Sequence, residues 1–125
     1  MPVRVSRASF ERLVDRALES LPDEFRRLMT NVNVIVEDYP SREDAEGTGS
    51  HRDELLGLFA GVSYPHKGGF LDIPPPFPDE IVIFQRNIQA ICATEDELVE
   101  DIRKTVVNVV AQYIGMSEED LEQYE

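Results

Sequence analysis

The feature that most constrains the fold of this chain is a long amphipathic segment close to its carboxyl end. Thr94 and Glu97 form a T-x-x-E capping box, which favours the start of a helix, and Gly115 fits the C′ position that ends one. In helical projection the segment has an apolar face and a polar face. The apolar face holds Leu98, Ile102, Val106, Val109, Val110 and Tyr113, and the polar face holds Asp101, Lys104, Thr105, Asn108 and Gln112. Such a helix is stable only when its apolar face packs against other elements.

The amino-terminal part of the chain predicts two helices and a strand. An i, i+3, i+4, i+7 stripe indicates the first helix, with Ser6 or Ser9 as its N-cap, and Pro22 opens a second, shorter helix. The stripe consists of Phe10, Leu13, Val14, Ala17, Leu18 and Leu21. Period-2 alternation in "NVNVIVEDY" then predicts a strand. The polar, glycine-bearing tract "PSREDAEGTGSHRDE" is predicted to be a surface loop.

The middle of the chain is punctuated by glycine and proline. "ELLGLFAGVSY" is apolar enough for the core but contains Gly57 and Gly61, so its pattern fits either a short helix or a strand. Prolines make "PHKGGFLDIPPPFPDE" an extended loop. "EIVIFQ" predicts a second strand and "RNIQAICA" a short helix. We therefore predict one α+β domain over residues 1–125, with N-terminal helices, a small β-sheet and a long C-terminal helix.

The charge balance argues against polyanionic partners. Twelve Lys and Arg stand against 25 Asp and Glu, which gives a formal net charge of -13. Nucleic-acid binding depends on cationic side chains that displace counterions, and anionic membrane surfaces attract the same cations. The chain is therefore predicted to bind neither nucleic acid nor membranes.

The single cysteine and the amino-terminal residues favour a cytoplasmic location. Cys92 has no cysteine partner in the chain, and "MPVRVSRASFERL" has no apolar run of the kind found in secretory signals. Because Cys92 lies in the apolar run "IQAICA", we expect a small buried side chain there and not a nucleophile.

Several segments, taken in order, resemble the small bacterial zincin-like metallopeptidases, sometimes described as minimal zincins. The resemblance extends over most of the chain and includes "LPDEF", "NVNVIVEDYP", "LLGLFAG", "PDEIVIFQRNIQAIC" and "TVVNVVAQYIGM". In the family, the last segment looks like T-V-x-H-E-x-A-H-H-F-G-I, and its first H-E-x-x-H is the zinc motif. The resemblance implies a minimal zincin-like fold, with the long C-terminal helix at the position of the zinc-binding helix.

The zinc motif is where this chain departs from the family. Its positions are occupied by Asn108, Val109 and Gln112, and Tyr113 follows. H-E-x-x-H binds Zn²⁺ through two imidazoles one turn apart, and its Glu is the general base for the metal-bound water. Amide oxygens are poor zinc ligands, and valine accepts no proton. The resemblance also suggests Glu118 as a vestige of the family's third ligand, but one carboxylate cannot hold zinc alone.

Other parts of the sequence offer no convincing replacement for this site. His51, His66 and Cys92 make a conceivable His2Cys set, but they have no close ligand spacing. The acidic run "SEEDLEQYE" lacks the glycine and the alternating oxygen ligands of a calcium loop, and it fits a terminal helix capped by Ser117. We therefore predict no metal site and no cofactor, although zinc is the cofactor of the family that the chain resembles.

Two functions remain open from the sequence. The first is a non-catalytic homologue, a pseudoenzyme, whose cleft or surface binds a peptide or protein. The second is a metal-dependent peptidase that uses substitute ligands. The combined loss at Asn108, Val109 and Gln112 favours the first.

Overall fold

The computed structural model describes residues 2–29, 32–49, 51–60 and 79–114. In chain order these residues form α1 (Arg7–Glu19), α2 (Asp23–Leu28), β1 (Val32–Glu37), α3 (Arg42–Thr48), β2 (Gly57–Ala60), β3 (Asp79–Phe84), α4 (Gln85–Ala90) and α5 (Glu95–Ile114). The predicted α+β class is confirmed, with helices first, a small sheet and a long C-terminal helix. Within the described residues, no helix is long and apolar enough to cross a membrane.

The three strands form one mixed sheet in the order β1-β3-β2. β1 runs parallel to β3, with Val34 opposite Ile81, and β2 runs antiparallel to β3, with Phe59 also opposite Ile81. β3 is the central strand because its β-branched residues tolerate burial on both faces. Ile81 and Ile83 are fully buried on one face of the sheet, and the intervening Val82, on the other face, is only 9% exposed.

The core lies between the sheet and the two longest helices. α5 packs against β2, β3 and α1, so its apolar face is covered by both helix and sheet. The buried residues of α1 are Phe10, Leu13, Val14 and Ala17, and those of α5 include Leu98, Ile102, Val106, Val107 and Val110. The stripes predicted for both helices are therefore the faces that pack, apart from Tyr113, whose side chain lies outside the described part of the structure. Burial of each of these side chains other than Ala17 contributes roughly 1.5–3 kcal/mol of favourable transfer free energy.

Local capping explains where the two long helices begin. The Ser6 hydroxyl accepts a hydrogen bond from the Ser9 amide at 3.1 Å, so Ser6 and not Ser9 is the N-cap of α1. At the start of α5, the Glu97 amide donates to the Thr94 hydroxyl at 3.1 Å, and the Thr94 amide donates to the Glu97 carboxylate at 3.3 Å. The predicted capping box is thus confirmed. Gly115, the predicted end of the helix, lies outside the described residues.

The prediction of a loop throughout "PSREDAEGTGSHRDE" was wrong, because α3 lies within it. The Ser41 hydroxyl caps this helix by accepting from the Asp44 amide at 2.9 Å, and Gly49 ends it with a left-handed φ of 74°. Ala45 supplies the buried contact, so the segment has no apolar stripe that periodicity could detect. Within "ELLGLFAGVSY", which fitted either a helix or a strand, Gly57–Ala60 form the strand β2. The rest of that stretch after Ala60 and the proline-rich tract before Asp79 lie outside the described residues.

Candidate functional site

The residues that the resemblance aligns with the zinc motif, Asn108, Val109 and Gln112, lie in the last two turns of α5. Asn108 and Gln112 are both exposed, and their spacing of four places them on the same face of the helix. Val109 lies about 100° around the helix from Asn108 and is only 8% exposed, as its place on the predicted apolar stripe requires. The structure therefore presents two neutral amides to solvent at this position, beside a buried aliphatic side chain.

The strand β2 approaches α5 closely beside these amides. A Cβ atom built on Gly57 would lie 2.8 Å from Cγ2 of Thr105, 3.1 Å from the carbonyl oxygen of Val82 and 3.6 Å from Cγ2 of Val109. Gly57 is therefore the residue that lets the strand reach the helix. Helix α5, at the position implied for the zinc-binding helix, thus packs directly beside an outer strand of the described sheet.

The prediction that Thr105 lies on the polar face of the helix was wrong. It is only 6% exposed, because its methyl group faces Gly57. Its hydroxyl donates a hydrogen bond to the Asp101 carbonyl at 2.7 Å, one turn earlier in the helix. This bond within the helix allows a polar residue to be buried without an unsatisfied group.

The Gly57→Ala substitution is expected to lower the free energy of unfolding by about 1–3 kcal/mol, since it forces a methyl group into this contact. Thr105→Ser removes the methyl at 2.8 Å but keeps the hydroxyl, so the double variant should recover part of that loss. Urea unfolding of both single variants and the double variant would measure the coupling. Additive losses would contradict the close approach of β2 and α5.

The remaining candidate ligands lie only partly within the described residues. The described residues contain no group of three or more His, Cys, Asp or Glu side chains that could hold a metal ion. His51 is exposed and Cys92 is buried, whereas His66 and Glu118 lie outside the described residues. The two amides can donate and accept hydrogen bonds, but a neutral amide is not a base that can deprotonate a water molecule.

Cys92 is a buried structural residue, as its apolar sequence context predicted. Its side chain is 2% exposed, and its Sγ donates a hydrogen bond to Oδ2 of Asp101 at 2.9 Å. Burial, followed by this hydrogen bond and the negative charges of Asp101 and Glu97, raises the pKa of the Cys92 thiol from 9.0 to about 12. The thiolate, which is the nucleophilic form, is therefore strongly disfavoured.

We expect Cys92 in the folded protein to react with iodoacetamide at pH 8.5 at least about 100-fold more slowly than in urea. Because its pKa is higher in the folded state, the thiol contributes stability that is fully present below pH 9 and is lost as the pH rises towards 12. Asp101→Asn removes the facing charge and should accelerate the native reaction. Equal rates in folded and unfolded protein would contradict this assignment.

Sequence reasoning missed three buried amide side chains in α4, namely Gln85, Asn87 and Gln89. Nδ2 of Asn87 donates to the carbonyl oxygens of Arg52 and Leu55 at 2.8 and 2.7 Å, which fixes the segment that leads into β2. A polar residue at every second position of "QRNIQ", directly after a buried strand, was the available signal. Asn87 therefore helps to position β2 and is part of the site's framework.

The two glutamines of α4 hold the amino-terminal segment. Nε2 of Gln85 donates to the Val5 carbonyl at 3.0 Å, while Oε1 of Gln89 accepts from the Val5 amide at 3.2 Å. Oε1 of Gln85 in turn accepts from Nε of Arg7 at 2.8 Å, and this guanidinium also pairs with Asp38 at 2.7 Å. The network gives each buried glutamine hydrogen-bond partners and links α1 to the end of β1.

Comparisons with known proteins agree with this architecture. A solved structure of a conserved hypothetical protein from Thermus thermophilus is similar over 88% of this chain and 94% of its own, with a TM-score of 0.54 and 20% sequence identity. At that identity the likeness concerns the fold alone. No curated protein matches the chain significantly. A sequence profile of zincin-like metallopeptidases matches residues 29–125, which include both strands that flank β3 and all of α5. The chain therefore belongs to the zincin-like metallopeptidase family.

Proposed function

We propose that this chain is a non-catalytic member of the zincin-like metallopeptidase family and that it works by binding a peptide or protein. The observation that carries the proposal is the side-chain set Asn108, Val109 and Gln112 on α5, which the family resemblance aligns with the positions of the zinc motif. Without the imidazoles there is no tight zinc binding, and without the carboxylate there is no general base. The burial of Val109 adds to this, because an aliphatic side chain occupies the place of the base.

The same arrangement supports a binding role. Asn108 and Gln112 offer exposed amide groups, each able to donate and accept, beside a strand that packs against their helix. An extended peptide can pair with a strand edge through its backbone and needs no metal to do so. In this proposal the family's cleft is kept for recognition, while the chemistry of hydrolysis is lost.

The first test is the metal content and activity of the purified protein. After loading with zinc and dialysis at neutral pH, we expect well under about 0.1 equivalent of zinc per chain, and no zinc-dependent cleavage of an unstructured protein such as casein. Retention of close to one equivalent, together with cleavage that a chelator abolishes, would overturn the proposal. That result would favour a peptidase that uses substitute ligands.

The binding role is tested by comparing two pairs of substitutions on α5. Asn108→Ala/Gln112→Ala removes the amides, whereas Glu100→Ala/Lys104→Ala removes two other exposed side chains at the same spacing and keeps the net charge. Proteins captured from the source cell by the wild-type chain should be lost with the first pair and kept with the second. Capture that is insensitive to the amide pair would remove this face as the binding site.

A further inference from the structure

A groove of about 580 Å³ lies between α1 and β1, away from the amides of α5. Val14, Leu18 and Met29 contribute apolar surface to it, and the backbone of β1 forms one wall. Val14 is almost completely buried, whereas Leu18 and Met29 are half-buried and accessible from the groove. The groove therefore combines an apolar floor with the outer edge of a strand.

The outer edge of β1 has peptide groups that β3 does not use. The Val32 amide donates to the Met29 carbonyl at 3.0 Å, and the Val36 carbonyl accepts from Nη1 of Arg7 at 2.9 Å. Both bonds lie on the edge away from β3. Since alternate residues of a strand direct their N–H and C=O groups to the same edge, Val34 presents both of its groups there, between these two bonds.

The charges at the groove are unevenly placed. Glu11 and Asp15 are exposed and stand one turn apart on the α1 side, and neither forms a salt bridge within the part of the chain that the structure describes. Arg26 of α2 also lines the groove, but its charge is partly balanced by Asp23, since Nη1 of Arg26 lies 3.9 Å from Oδ1 of Asp23. The wall formed by α1 is therefore negative, in a chain whose net charge is already -13.

We propose that this groove binds an extended, lysine- or arginine-bearing segment of a partner protein, which adds a strand to the outer edge of β1. Val34 supplies the backbone hydrogen bonds, Leu18 and Met29 contact apolar side chains of the segment, and Glu11 and Asp15 pair with its cations. A second copy of this chain is disfavoured as the occupant, because two strongly negative chains repel one another. The groove is separate from the face of α5 that carries Asn108 and Gln112, and this proposal does not depend on the function proposed for that face.

The probe is a fluorescein-labelled peptide of about nine residues in which valine alternates with lysine and threonine, measured by fluorescence anisotropy at low salt. The control peptide has glutamate in place of lysine. Val34→Pro removes the outward N–H without removing a bond to β3, and Val34→Ala controls for the lost side chain. Glu11→Gln/Asp15→Asn neutralises the groove, and Glu43→Gln/Glu100→Gln makes the same change in net charge at exposed positions elsewhere.

We expect the lysine peptide to bind the wild-type chain at least about tenfold more tightly than the glutamate peptide. Affinity should fall about threefold to tenfold in Glu11→Gln/Asp15→Asn and below detection in Val34→Pro, and it should persist in both controls. Equal losses in the two charge variants, or equal affinities of Val34→Pro and Val34→Ala, would overturn the proposal. So would binding that is lost only in Asn108→Ala/Gln112→Ala, a result that would place the peptide on α5 and leave the proposed function standing. A dimer that Val34→Pro dissociates would overturn it in favour of a second copy.

Discussion

Zinc is expected to bind Asn108→His/Gln112→His at least about 100-fold more tightly than the wild-type chain, a gain of about 2.8 kcal/mol in binding free energy. The substitutions place two imidazoles one turn apart on an exposed helix face, which is the geometry of the zinc motif. Because both positions are exposed, their replacement should change the free energy of unfolding by no more than about 0.5 kcal/mol. Isothermal titration with zinc, together with circular dichroism to check the fold, measures both quantities.

A matched control shows how much of the zinc affinity is specific to positions 108 and 112, because any pair of histidines one turn apart on a helix binds some zinc. Glu100→His/Lys104→His creates the same spacing on exposed positions of α5, one turn or more before the motif. If Glu118 corresponds to the third ligand of the family, the pair at 108 and 112 binds zinc more tightly than this control. Glu118→Gln should then weaken zinc binding by the pair at 108 and 112 and leave zinc binding by the control pair unchanged. Zinc affinity no better than wild type in a folded Asn108→His/Gln112→His variant would refute the alignment on which the proposed function rests.

The parts of the fold that sequence predicted correctly are those in which one local signal was strong. The stripe of α1, the alternation of β1 and the capping box of α5 each depend on residues close together in the chain, so their signals survive without knowledge of the tertiary structure. The α3 helix was missed because it buries little apolar surface. Its signals were the cap at Ser41 and the left-handed glycine at 49, which mark the ends of a helix but do not indicate that the residues between them are helical.

The exposure of the residues at the candidate site was predictable from the sequence, but the packing around them was not. The exposure of Asn108 and the burial of Val109 followed from helical periodicity. The burial of Thr105 did not, because it depends on how closely β2 approaches the helix, and that distance is set by the absence of a side chain at Gly57. The burial of Asn87 likewise depends on two carbonyl groups more than 30 residues earlier, at sequence separations of 35 and 32. Contacts between segments that are far apart in the chain produce no periodic pattern in the sequence.

The Val109→Glu substitution, which introduces a glutamate where the resemblance aligns the family's catalytic base, is expected to destabilise the fold by about 2–4 kcal/mol at neutral pH. Val109 is 8% exposed, and its Cγ2 lies beside Gly57, so a carboxylate at this position loses its hydration. Val109→Gln is the matched control, since it has the same length and shape without the charge.

Burial disfavours the charged form, so the pKa of the introduced carboxyl is raised in the folded state above its unfolded value of about 4.3. The stability of the Val109→Glu variant is therefore highest below that pH and falls as the pH rises through the folded-state pKa. Urea unfolding at pH 4 and at pH 7 should give similar stabilities for the two variants at the lower pH and a less stable Glu variant at the higher one. A Glu variant as stable as wild type at pH 7 would mean that the site still accommodates the family's base. The Asn108→His/Val109→Glu/Gln112→His chain would then be expected to cleave peptides, whereas the burial of Val109 leads us to expect zinc binding without hydrolysis.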